Sequence, residues 1–393
     1  MSESKMRLER MRGLMEERGI DLVVVTYGPN LFYFANTGMD ASLCVKKDEA
    51  EPLLLVRRGL QRALAESCWA DIRPYRSYSQ IPQLLDLGSG KITLGLELDV
   101  MPYLVAKKFH RIFPDSEIVD IGHDLRMLRS MKSAGEIDIL TQAAKQVHGL
   151  PQYAVEVLGE QPNMTELLLS AKIEGYLRSK GHQGLVRMQG YNNEVAFGTC
   201  ISGVSALRTS RMDSPHGGPG AYNCIAYGAG KKQIEPGEPV LLDYLGGYEG
   251  YVVDQSRLIT RSTPKAGVEE AYQAMLHVQD VIVNALKPGV KCSEVYHLAL
   301  NEVAKLGYAD YFMGIGEDQV SFVGHGVGLE LNEYPVLTSR FEARIAAGMV
   351  IAVEPKVILP ELGIVGIENT VLVTDVGCKM ITTASEEILT AKA

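Results

Sequence analysis

Three acidic residues stand inside runs that are otherwise apolar: Asp243 in VLLDYL, Glu354 in VIAVEP and Glu368 in VGIENTVLV. Short apolar runs of this kind read as buried strands. A carboxylate placed in such a strand must be hydrogen-bonded, paired or bound to a cation, because an isolated buried charge is heavily penalised. A fourth acid, Asp254, closes the segment DYLGGYEGYVVD that Asp243 opens, and the Gly- and Tyr-rich middle of that segment reads as a tight hairpin. Asp243 and Asp254 are 11 positions apart and Glu354 and Glu368 are 14 apart, so each pair can span a hairpin whose arms face one another. His325, in VGHGVG, adds an imidazole flanked by glycines that permit close backbone approach.

Four carboxylates and one imidazole form a ligand list for a pair of divalent ions. Oxygen donors can bridge two ions, and the nitrogen favours Mn, Co, Zn or Fe over Ca or Mg. Five side chains for two ions leave positions open for water and substrate, as a hydrolytic site requires. Taken singly, each acid is more often a turn or salt-bridge residue, and His325 alone more often structural; their shared setting in apolar strands is what points to a site.

The chain has 393 residues, 46% of them apolar, enough for two or three packed domains. Its formal charge of -9 comes without a basic block, which argues against nucleic acid or an anionic membrane as partner and for a short peptide or small molecule. The polar start MSESKMRLER and the lack of an apolar run approaching the roughly 20 residues of a spanning helix imply a soluble, cytoplasmic protein. The six cysteines form no CxxC pair and are expected to be reduced, mostly buried thiols.

Helix and strand patterns alternate through residues 1–125, implying an α/β domain: a helix through MRLERMRGLMEERG, strands at DLVVVT, SLCVKK, EPLLLV, KITLGLEL and EIVDI, and a helix through LVAKKFHRIF. Residues 126–161 read as linker helices, and 162–393 as an α+β domain with helices at TELLLSAKIEGYLRSKG, VEEAYQAMLHVQDVIVNAL and SEVYHLALNEVAKLGY. The first and last of these resemble each other weakly, each opening on a good N-cap residue, Thr165 or Ser293, followed by an acid.

In order and spacing these segments resemble metallopeptidase family M24, which includes methionine aminopeptidase, proline aminopeptidase and proline dipeptidase, with creatinase as a non-metal relative. RMRGLMEERGIDLVVVTYGPNLFYFANTG resembles the creatinase-like amino-terminal domain and LRMLRSMKSAGEIDILTQAA the inter-domain helix. The resemblance implies a pita-bread catalytic domain over 162–393 and a homodimer. It also implies two metal ions, with Asp243 on one ion, Asp254 and Glu368 bridging, and His325 and Glu354 completing the second. The implied activity is an Xaa-Pro peptidase, of proline dipeptidase or aminopeptidase type, in which a metal-bridging hydroxide attacks the carbonyl and Glu354 is a candidate proton acceptor.

The chain departs from that pattern. Two further family histidines fall at Ala226 and Asn332; Asn332 can donate an N–H to an oxyanion but cannot titrate near neutrality. Gly366 stands where many proline-specific members have Arg, and Asn369 where they often have Asp. His216, Arg208, Arg211 and Asp213, in the loop RTSRMDSPHGGPG, are candidate substitutes, although a solvated loop imidazole is the plainer reading of His216. These losses motivate an alternative, a metal-dependent hydrolase or lyase of a small non-peptide metabolite, and a non-catalytic binding protein is the third reading.

Overall fold

The computed structural model describes residues 2–88 and 90–391. It divides into two units, Met1–Arg129 and Ser130–Ala393. In the first, a six-stranded sheet has the order β4-β3-β2-β1-β5-β6, formed by β1 (Leu22–Val25), β2 (Asp40–Lys46), β3 (Leu53–Arg58), β4 (Ile72–Pro74), β5 (Thr93–Leu96) and β6 (Glu117–Asp120). The helix Gly28–Ala35, which the sequence patterns did not suggest, is anchored by Glu97: its carboxylate accepts hydrogen bonds from the Thr26 and Tyr27 N–H groups at 2.7 and 2.8 Å and from Asn30 at 2.8 Å. An acid there satisfies amides left unpaired at a helix start.

The second unit is built on a nine-stranded sheet. Its path runs β11-β10-β12-β15-β9-β8-β7, with β16 on β15 and β17 on β9. The strands are β7 (Gly198–Ser202), β8 (Val240–Tyr248), β9 (Tyr251–Thr260), β10 (Gly324–Gly326), β11 (Glu333–Val336), β12 (Val350–Val353), β15 (Glu368–Val373), β16 (Cys378–Met380) and β17 (Leu389–Thr390). A separate ribbon, β13 (Lys356–Leu359) with β14 (Gly363–Gly366), lies in sequence between β12 and β15. Pro355 separates β12 from β13, as expected of a residue with no N–H to give a ladder.

The hairpin β8–β9 turns through Glu249 and Gly250, both at positive φ, 46° and 90°, closed by the pair Tyr248 and Tyr251. Two central residues at positive φ match the twist of a two-residue hairpin, and Gly takes the second without strain. The helix Ala134–His148, opened by a capping box between Ser133 and Glu136, clamps both arms. Gln146 accepts the Gly247 N–H at 2.8 Å, Tyr251 donates to Glu136 at 2.7 Å and Gln255 donates to the Val147 carbonyl at 3.1 Å. Helices Val268–Ala285 and Cys292–Lys305 pack into an apolar core with Leu241, Leu258, Ile351 and Val371 of the sheet. The second helix is capped at Lys291 and not at Ser293, because Glu294 reaches back to the Lys291 N–H at 3.3 Å. Cys44, Cys200 and Cys292 are buried as expected, whereas Cys68 and Cys224 are exposed.

Arg257 holds the back of this sheet. Its guanidinium, 1% exposed, donates all five N–H groups: to the carbonyls of Ser385, Ser256, Glu368 and Ala384 and to Asn369 Oδ1, at 2.7–2.9 Å. Asn369 in turn donates to Gln279 and Glu386 and accepts from Thr382. The departure at Asn369 therefore belongs to a structural network. Arg257→Met should lower unfolding stability by about 3–5 kcal/mol, because it strands several buried acceptors at once; denaturant melts of the two proteins measure it.

Candidate functional site

Strand alternation brings the acids together. Across the sheet Asp243 of β8 pairs with Ser256 of β9, and Ser256 pairs with Glu368 of β15, forming one row of side chains on one face. Asp254, two residues before Ser256, shares that face by the period of two. So do His325, opposite Ala352, and Ala352, opposite Thr370 two residues beyond Glu368. Glu354 follows Ala352 at the same spacing. The structure thus gathers Asp243, Asp254, His325, Glu354 and Glu368, all buried or, for His325, half-buried.

A sixth residue, absent from the sequence reading, occupies their centre. Lys356 is 0% exposed, and its ammonium donates to Glu368 Oε2 at 2.6 Å, Glu354 Oε2 at 2.7 Å and Asp243 Oδ2 at 3.1 Å. The ribbon register explains the space it uses: Lys356 pairs with Gly366, where a Cβ would lie 2.5 Å from the lysine Cγ and 2.7 Å from its Cα. The absence of a side chain at 366 makes room for the one at 356. Lys356 was visible in principle, since it stands two residues after Glu354 and must face the same side if the extended chain continues.

The remaining donors point elsewhere. Asp254 Oδ1 and Glu368 Oε1 are buried and have no hydrogen-bond partner among the described residues. Asp254, His325 and Glu368 each offer a ligand atom, and these lie within 4.8 Å of one another. His325 Nδ1 lies 3.1 Å from the Gly326 carbonyl, which can only accept, so Nδ1 carries a proton and Nε2 faces the carboxylates; burial opposes the ring's charge, but Glu354 and then Glu368 outweigh that and raise its pKa. Nε2 is 3.5 Å from Glu354 Oε1 and 4.0 Å from Glu368 Oε1. Two buried orphan oxygens and an imidazole nitrogen fit one divalent ion. One oxygen each of Asp243, Glu354 and Glu368 is bound to the Lys356 ammonium, which differs from the arrangement implied by resemblance, in which all five side chains serve two ions.

His216 is buried, not solvated, with Nε2 at 3.2 Å from Asp243 Oδ2 though not aligned for a hydrogen bond. Burial lowers its pKa to about 4, so the ring is neutral. It borders a cavity of about 210 Å³ also lined by Met212, Ile315 and Ile358. Arg208, Arg211 and Asp213 are exposed, and Arg211 donates to the Asn192 carbonyl. Ala226 is exposed, while the next residue, Tyr227, is half-buried with its ring 6.1 Å from that of His216. Desolvation, then Asp243 and Asp254, push its phenol well above the usual range. Asn332 is partly committed: its Oδ1 accepts the Gln189 N–H at 2.8 Å and its Nδ2 donates to the Gln189 carbonyl at 2.9 Å. It fixes the 187–189 segment, which also accepts from the Leu331 N–H at Arg187.

Four carboxylates and one ammonium leave an excess of negative charge that the structure distributes unevenly. Glu354 is held down to about 2: burial opposes its charge, but Lys356 and then His325 outweigh that. Glu368 is raised to about 7 by burial and then by Glu354, and Asp254 is raised well above the usual range by burial and then by Glu368. Glu368 retains a proton in the folded state that it loses when unfolded, so its contribution to stability falls as pH rises from 4.5 through 7, and Asp254 is shifted in the same direction. A divalent ion held by Asp254, His325 and Glu368 would take the place of those protons. The melting-temperature difference between manganese-loaded and chelated protein should therefore widen as pH rises over that window, and a pH series by scanning calorimetry checks it.

Residues 138–375 match the model of metallopeptidase family M24, and residues 7–131 match the Creatinase/Prolidase N-terminal domain. The chain is 30% identical to the uncharacterized peptidase YqhT of Bacillus subtilis (strain 168), over 98% of this chain and 99% of that one. It is 29% identical to an Xaa-Pro dipeptidase of Pyrococcus furiosus, over 98% and 100%. An Xaa-Pro dipeptidase structure from Bacillus anthracis superposes with a TM-score of 0.82 at 27% identity, covering 98% of this chain and 99% of that one.

Proposed function

Because the chain belongs to metallopeptidase family M24, with the family's creatinase-type domain ahead of the catalytic one, we propose that it hydrolyses the amide bond preceding proline in short peptides. The observation that carries this reading is the cluster of Asp254, His325 and Glu368, whose ligand atoms lie within 4.8 Å of one another while Asp254 Oδ1 and Glu368 Oε1 have no hydrogen-bond partner among the described residues. The names of similar proteins, Xaa-Pro dipeptidases among them, support the substrate class.

Asp254, Glu368 and His325 would hold a divalent ion, Mn, Co, Zn or Fe by donor type. Bound there, such an ion supplies Lewis acidity, making water nucleophilic at neutral pH and offsetting negative charge on the carbonyl oxygen. The chain's own groups do the rest. Glu354 keeps its charge but little basicity, being held near 2, so its role shifts from proton acceptor toward fixing Lys356 and His325. His216 is neutral and 3.2 Å from Asp243, so its ring would accept a proton released by the attacking water and pass it to the leaving prolyl nitrogen, which has no proton of its own. Asn332 holds the Gln189 backbone with its oxygen and one amide N–H, and its second N–H is the one that would serve an oxyanion. None of Asp254, His325 and Glu368 lines the cavity beside His216, so dipeptidase and aminopeptidase action are separated by substrate length in the panel below.

A second reading is hydrolysis or lysis of a small non-peptide compound, favoured by the lysine inside the carboxylate set and the partly committed Asn332. One panel separates the two: Xaa-Pro dipeptides, Xaa-Pro-Yaa tripeptides and small amides, with chelated and manganese-reloaded protein. The dipeptides should be turned over only when metal is restored, and His325→Ala should cut kcat/KM by about 10²–10⁴-fold. Turnover confined to the small amides would transfer the assignment to the second reading. The chain pairing implied by resemblance is part of the same proposal, with light scattering as its check.

A further inference from the structure

We propose that Lys356 is a built-in cation standing in for one metal ion, so that the site takes up a single divalent ion, at Asp254, His325 and Glu368. The inference rests on the reading of those three residues as ligands, and it concerns how many ions the chain can hold.

The ammonium is saturated. Its three N–H groups meet three carboxylates, those of Glu368, Glu354 and Asp243, at 2.6, 2.7 and 3.1 Å. It has no lone pair to offer a metal, so it can only compete for the oxygens a second ion would use. Those oxygens are divided without overlap: Glu368 gives Oε2 to the lysine and leaves Oε1 unpartnered, and Glu354 gives Oε2 to the lysine while Oε1 faces His325. The lysine cannot easily swing away. Its backbone is fixed by pairing with Gly366 and by the Met313 N–H donating to its carbonyl at 2.8 Å, and the neighbouring Val357 and Ile358 belong to the apolar core. Withdrawing the ammonium would place an unpaired charge among aliphatic side chains, a large penalty. The backbone has been shaped to admit it, since any side chain at 366 would collide with the lysine stem.

The test is a metal count with a spectroscopic readout, independent of turnover. Full-length protein is chelated, titrated with manganese(II) by calorimetry, and examined by electron paramagnetic resonance, which distinguishes an isolated ion from a spin-coupled pair. Wild type should bind about one ion per chain, by the three-donor count, and give the isolated spectrum. Lys356→Gly and Lys356→Ala, which free the oxygens of Asp243, Glu354 and Glu368, should bind a second ion and show coupling. A coupled pair in wild type would overturn the proposal, as would a folded Lys356→Gly that still stops at one ion, or a wild type that binds none. The wild-type spectrum decides the matter even if the variants do not fold. Single-ion binding without peptide cleavage would sink the peptidase reading alone, whereas a coupled wild-type pair with good cleavage would sink this one alone.

Discussion

The ammonium of Lys356 among three carboxylates is the interaction on which the catalytic unit depends. Each of those acids lies in or beside an apolar strand, where a charge without partners would not be tolerated. Lys356 supplies one compensating charge from within the chain and fixes the rotamers of Asp243, Glu354 and Glu368 in doing so. What it leaves undone is equally informative: the Asp254 and Glu368 oxygens that it does not reach are those with no partner at all.

The sheet provides the precision. Because alternate residues of a strand share a face, a row running Asp243, Ser256, Glu368 is fixed by ladder hydrogen bonds and not by flexible loops. Ser256 sits in that row between two carboxylates and donates to Glu368 Oε2 at 3.0 Å. The clamp of the helix Ala134–His148 on both arms of the hairpin keeps β8 and β9 from shearing.

Much of this was legible in the sequence. The acids interrupting apolar runs, their spacing across hairpins and the glycine-flanked His325 pointed to the site, and the resemblance pointed to both domains. What stayed hidden depended on tertiary context. Lys356 reads as an ordinary charged residue after a proline until the ribbon turns it inward, and its partner Gly366 reads as a lost arginine instead of as space. His216 lies in a polar, Gly/Pro-rich loop, a composition that suggests exposure, yet its ring is buried against Asp243. Asn332 has the right chemistry for an oxyanion donor, but backbone groups 143 positions earlier in the chain claim its oxygen and one N–H. Arg257 gave no signal because nothing local marks which strand arginine will find five carbonyl and amide oxygens.

Arg257 has a consequence for how the protein comes into being. It joins the carbonyl beneath Glu368 to those of Ala384 and Ser385, and β17 with Ala391 completes the edge along β9. The carboxylate row is therefore not locked until residues 384–391 have been synthesised. Arg257, made with the hairpin acids Asp243 and Asp254, waits 127 and 128 positions for the carbonyls of Ala384 and Ser385, a case of non-local closure.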